Sequence, residues 1–172
     1  LTVDTNTTCY YAGIYPNDTG IAVLHVNVAN TRGWPDTLTS VLVRSAAPYR
    51  INSTSIAALK LWKDTGPQSG ALDSGDSFIA TLPYLGNQAW GGPVTCPLSA
   101  SGATLLFTVD ATAAPSMGDS LVLAIPAYGL TAAVSDSGPT DTRSNGRYQY
   151  VSRHSVLFSE IGRVLNHLLN VT

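Results

Sequence analysis

Apolar residues recur at every second position along most of this chain, and turn-forming residues interrupt them every few positions. A period of two places alternate side chains on opposite faces of an extended backbone, so it signals strands and not amphipathic helices. In the first segment Leu1, Val3, Thr5, Thr7, Cys9 and Tyr11 fall on one face, and Thr2, Asp4, Asn6, Thr8 and Tyr10 on the other. Further strands are expected over 21–30, 38–44, 56–63, 78–82, 103–111, 120–126, 129–134 and 148–156. Within 56–63 the alternation groups Ile56, Ala58, Lys60 and Trp62 on one face, against Ala57, Leu59 and Leu61. Gly- and Pro-containing turns at 32–36 and 115–119 separate strands. The segments 64–76, 83–102 and 135–146 read as loops. Strands at this spacing without intervening helices predict an all-β chain, a two-sheet antiparallel β-sandwich with Ig-like and jelly-roll topologies both open.

The tail departs from this period. Leu157, Ile161, Leu165 (or Val164) and Leu168 recur at helical spacing with Ser159, Arg163 and Asn166 opposite, which predicts a short C-terminal amphipathic helix over about 158–169. Gly162 weakens it by about 1 kcal/mol relative to alanine. The chain therefore divides into an N-terminal extended strand over 1–14, a sandwich body over 15–156 and a helical tail over 157–172.

A chain of 172 residues with 44% hydrophobic content can bury a sizeable core. Only 12% of its residues are charged, about half the usual share, and Ser, Thr, Asn and Gly take their place. A net charge of -2 gives no basic footprint for nucleic acid, and no apolar run is long enough for a membrane span. The start at Leu1, without Met or an apolar leader, fits a mature exported chain, and an extracellular or cell-surface location is expected. In an oxidising compartment the two cysteines, Cys9 and Cys96, most simply pair as a disulfide. Closing so long a loop would stabilise the fold by roughly 4–5 kcal/mol in the chain-entropy treatment. Export also gives meaning to the Asn-x-Thr sequons at Asn6, Asn17, Asn52 and Asn170, where N-glycans are expected.

Catalytic constellations are scarce. There is no G-x-S-x-G, no H-E-x-x-H and no Gly-rich phosphate loop. His25, His154 and His167 are scattered, and Glu160 is the lone acid of the last thirty residues. A carboxylate pair assembled in space, such as Asp73 with Asp110, stays open, but the chain reads as a protein without enzymatic activity and without a resident cofactor. The loop 64–76 sets Asp64, Asp73 and Asp76 among glycines. Calcium takes oxygens from loops of this kind, although the spacing departs from an EF-hand, Pro67 interrupts it, and no Glu closes it. A plain Gly/Asp turn is the alternative. Three tryptophans offer sugar-stacking faces. Trp62 shares a face with Ile56 and is expected in the core, whereas Trp34 and Trp90 lie in turn-rich stretches and suit a binding surface better.

The segments IAVLHVNVANTRG (21–33), LKLWKDTGPQSGALDSGD (59–76) and LLFTVDATAAPSMGDSLVLAI (105–125) resemble the strand–loop–strand units of secreted prokaryotic surface β-sandwich proteins. More loosely, the whole chain is similar in plan to subunits of extracellular filaments of the TasA-like and archaeal bundling-pilus or thread kind. That resemblance implies a structural subunit that polymerises with copies of itself by donor-strand complementation, the N-terminal segment filling a neighbour's groove by β-augmentation. Leu1, Val3, Thr5 and Thr7 would then face a neighbouring subunit, as would Leu157, Ile161, Leu165 and Leu168 of the tail. The same N-terminal segment also suits the first strand of its own sandwich. A secreted binding module, carbohydrate-binding or a cohesin-like adhesin, is the alternative function.

Overall fold

The computed structural model describes residues 1–6, 13–46, 51–144 and 149–152. Among these residues the chain is all-β, without a helix. The strands are β1 (Thr2–Asn6), β2 (Gly13–Ile14), β3 (Ile21–Ala29), β4 (Asp36–Ser45), β5 (Ile56–Lys63), β6 (Ser77–Leu82) and β7 (Tyr84–Gly86). They continue as β8 (Ala89–Leu98), β9 (Ala103–Ala111), β10 (Ser120–Leu121), β11 (Leu123–Ile125), β12 (Leu130–Ala132), β13 (Arg143–Ser144) and β14 (Gln149–Val151). The predicted helix, with Leu157, Ile161, Leu165 and Leu168, lies outside the described residues, as do Thr7, Cys9 and Asn170.

Two large antiparallel sheets carry the fold. One runs β1-β3-β9-β5-β6; the other runs β13-β11-β4-β8-β7, with β12 also paired to β4. A small third sheet, β10-β14-β2, holds one parallel pair, β14 with β2, which departs from the purely antiparallel expectation. Residues of both large sheets contribute to one buried cluster. Leu24, Val26, Leu59, Leu61, Leu105 and Phe107 enter it from the first sheet, and Val41, Val43, Trp90, Cys96, Leu98 and Leu123 from the second.

The alternation of the first segment matches the burial seen in β1. Leu1 and Val3 are buried in the chain's own core, Thr2 and Asp4 are exposed, and β1 pairs antiparallel with β3 from Thr2↔Ala29 to Asn6↔His25. In β5 the face assignment is corrected. The pairing with β9 shifts register between Ile56 and Ala58, so Ala57 bulges out and Ile56 joins Leu59 and Leu61 in the core. Trp62 therefore sits on the outer face, where its Nε1 donates to Thr108 Oγ1 at 2.9 Å.

The segment 83–102 is also corrected: it is not a loop but the short strand β7 and the ten-residue strand β8. Its second half alternates strictly, with Val94, Cys96 and Leu98 buried and Pro93, Thr95 and Pro97 exposed. The prolines are tolerated because β7 pairs only as far as Trp90, leaving one side of β8 without a ladder beyond that point. Gly91 is required by close packing, since a Cβ there would lie 2.5 Å from the Val41 carbonyl oxygen.

Candidate functional cleft beside Trp34

The connection from β3 to β4 is fixed by two side chains at its ends. Asn30, 7% exposed, follows β3; its Oδ1 accepts from the Arg32 amide at 3.0 Å and from Ser135 Oγ at 3.2 Å, and its Nδ2 donates to the Trp34 carbonyl. Asp36 opens β4. Its Oδ1 accepts from the amides of Thr37 (2.7 Å) and Val134 (3.1 Å), and its Oδ2 from the amide of Ser135 (2.6 Å). The turn is thereby tied to a segment about a hundred residues further on, which follows β12. A carboxylate that accepts several N–H groups is stabilised in its charged form. The Ser135 side chain, and after it the amides of Thr37, Ser135 and Val134, push the Asp36 pKa down to about 2, against the opposing effect of desolvation.

This frame holds an indole in solvent. Trp34 is 75% exposed and Val134 67%. Together with Arg32, Pro35, Asp36 and Ser135 they line an open cleft of about 330 Å³. The cleft thus sets the apolar side chains of Trp34, Pro35 and Val134 beside Arg32, whose Nη2 lies 3.5 Å from the carboxylate of Asp136, itself 90% exposed. Asp36 does not offer the cleft a free acceptor in the same way, because both its oxygens already face backbone amides.

The depressed Asp36 pKa has a consequence for folding. Because its folded value (about 2) lies below the ordinary value of 3.8, its contribution is fully present above about pH 4 and is lost as pH falls toward 2. Asp36→Asn should therefore lower stability at neutral pH and flatten the stability–pH curve between about pH 4 and 2. Denaturant melts of both proteins across that range check it. Parallel curves would show that the clamp does not work through the ionised carboxylate.

The other sequence candidates fall elsewhere. Trp90 is 2% exposed and packs beside Tyr84 with ring centroids 5.1 Å apart, so it is core and not a binding surface. Trp62 makes an edge contact with the exposed Phe78 at 5.1 Å on the outer face of the first sheet.

In the acidic loop each carboxylate is turned onto the protein. Asp76 accepts from the amides of Thr65, Gly66 and Asp73, Asp73 from those of Gln68 and Gly75, and Asp64 from Gly70. Asp64 Oδ2 also lies 2.6 Å from Nε2 of the buried His25. Asp73 closes an Asx turn on the Gly75 amide, and the remaining bonds tie distant parts of the loop together. Among the described residues no group of three or more His, Cys, Asp or Glu is placed to hold a metal. Asp110 is engaged by Lys60 Nζ at 2.5 Å and by the Gly20 amide.

Cys96 is fully buried on β8, and burial pushes its thiol pKa up, with Lys63 partly offsetting this. Its predicted partner Cys9 lies outside the described residues. Among the sequons, Asn17 occupies an exposed turn at φ 63°. Asn52 Oδ1 accepts from both the amide and the hydroxyl of its own sequon threonine, Thr54, at 2.7 Å each. Asn6 closes β1 opposite His25.

Sequence reasoning picked out Trp34 but not Asn30, Arg32, Asp36 or Ser135. A turn was legible at 32–36; its tie to residues 134–135 is tertiary and carries no local signal. A scan against protein-family models finds no match, and a search of curated proteins finds no relative.

Proposed function

We propose that this chain is a secreted, cell-surface β-sandwich domain that works by binding, not by catalysis, and that the Trp34 cleft recognises a carbohydrate. The two large sheets would form the layers of the sandwich, since they share one core. The observation that carries the reading is an indole 75% exposed on a turn that Asn30 and Asp36 hold from both ends. An exposed aromatic on a rigid frame beside a cleft matches the chemistry of sugar recognition, in which a ring stacks on the C–H face of a pyranose and nearby polar groups meet its hydroxyls. The surface, poor in charge and rich in hydroxyl and amide side chains, fits an extracellular setting.

Affinity electrophoresis through gels containing single polysaccharides tests the reading. Retarded migration on at least one of a broad panel is expected; unretarded migration on all of them would overturn it. The expected Cys9–Cys96 disulfide belongs to the same extracellular setting, and unchanged gel mobility on reduction, with two alkylatable thiols beforehand, would remove it. N-glycans belong there too, with Asn17 presented on an exposed turn, and the intact mass of native material reports their occupancy.

A second reading, the filament subunit, is favoured by one observation. β1 is an edge strand whose alternate residues Leu1 and Val3 plug the core, which is how a donated strand fills a groove. Copies of the chain would then exchange this strand. Deleting residues 1–6 separates the cases: a donor strand leaves a soluble, folded monomer that no longer polymerises, whereas an intramolecular strand leaves a misfolded chain. Calcium held by Asp64, Asp73 and Asp76 belongs to the same proposal: chelator should lower the melting temperature, and an unchanged melt would remove it.

A further inference from the structure

We infer that the saccharide taken by the Trp34 cleft is acidic, a pyranose carrying a carboxylate, with Arg32 as the residue that selects it. The inference rests on the carbohydrate reading above and deepens it. Among the described residues two charged side chains line the cleft, Arg32 and Asp36. They differ in what they have left to offer a ligand. Asp36 accepts three backbone amides at 2.6–3.1 Å, so a sugar hydroxyl would have to compete with the bonds that hold the turn. Ser135 is likewise engaged, donating from Oγ to Asn30 Oδ1 at 3.2 Å.

Arg32 is different. Its side chain is 49% exposed, and its contact with Asp136 is long, at 3.5 Å, to a carboxylate that is itself 90% exposed. A guanidinium has five N–H donors in a planar fork that matches a carboxylate two bonds at a time. Among the described residues it is the one cationic side chain lining the cleft, and it stands two residues from Trp34 on a turn held by Asn30 and Asp36. The complementary ligand presents an apolar ring face to the indole and, beside it, an anion to the guanidinium. A uronic acid residue has both features in one ring: C–H groups on its face and a carboxylate at its rim. Asp136, so close to Arg32, acts as a loosely held stand-in that such a ligand displaces.

The test titrates the full chain with acidic polysaccharides (polygalacturonate, alginate and a glucuronan) and with neutral ones of similar length (a galactan, a mannan and a glucan), at low salt. At least one acidic polymer is expected to bind about tenfold or more tighter than every neutral one, the scale of a charge-assisted hydrogen-bond pair. Arg32→Gln should remove that preference while leaving the melting temperature unchanged, and Asp136→Asn should strengthen it. Raising salt should weaken acidic binding and leave neutral binding in place. Neutral polymers binding as tightly as acidic ones, or a preference that survives Arg32→Gln, would overturn this inference while leaving carbohydrate recognition standing. Binding of none of the six would overturn both.

Discussion

Trp34→Ala is expected to abolish saccharide retention while leaving the fold intact. A stacked aromatic of this kind is a typical binding hot spot, and truncating it costs about 2 kcal/mol or more, roughly a thirtyfold loss of affinity. The same change should scarcely affect folding. At 75% exposure the indole contributes little buried area, and surface substitutions usually stay within about 0.5 kcal/mol. The hydrogen bond from Asn30 goes to the Trp34 carbonyl, which alanine retains, so the turn keeps its shape. Trp34→Phe should bind with intermediate affinity, since it preserves a smaller ring. Isothermal titration with the best polysaccharide, paired with thermal melts, separates these effects. A variant that loses binding only together with several degrees of melting temperature would instead assign Trp34 a role in holding the turn.

Phe107→Ala should be severely destabilising. Phe107 is fully buried on β9, between β3 and β5, where it pairs with Leu24 and Leu61. Removing a buried phenyl ring forfeits its transfer free energy and leaves a cavity, about 3–5 kcal/mol in all. That is a large fraction of the 5–15 kcal/mol that typically holds a domain together. For a chain of this size it corresponds to a fall of roughly 6–20 °C in melting temperature. Phe78 provides the control. It is 53% exposed and touches Trp62 edge-on, so Phe78→Ala should cost about 1 kcal/mol or less. Equal losses for the two variants would contradict the assignment of core and surface.

These contrasts also show where sequence reading succeeds and where it stops. Alternation in the first segment was sufficient to identify a strand, because Leu1 and Val3 face the core and Thr2 and Asp4 face out. By contrast, β3 and β9 are buried on both faces over 23–26 and 105–109 and were legible as short apolar runs between turn residues. β5 defeated the face assignment through a single bulge at Ala57, a device that reverses alternation without altering composition. β8 was hidden by Pro93, Pro97 and the two glycines, which read as loop residues unless one knows that the strand's far side carries no ladder. The cleft was half visible. Trp34 stood out because its turn is Gly- and Pro-rich, but its clamp unites Asn30 and Asp36 with Val134 and Ser135. No property of either stretch alone announces the other. In the acidic loop the sequence left a calcium site and a plain Gly/Asp turn both open, and the structure shows the three carboxylates accepting from the loop's own amides.

The recognition claim is tested most directly by mapping a bound polysaccharide onto the assigned amide and indole NMR signals of the whole chain. Saturable shifts are expected to centre on the Trp34 indole, Arg32, Val134 and Ser135, with the signals of Trp62, Phe78 and the 64–76 loop unmoved. Saturable shifts on the Trp62 and Phe78 face, with the Trp34 signals unchanged, would contradict it.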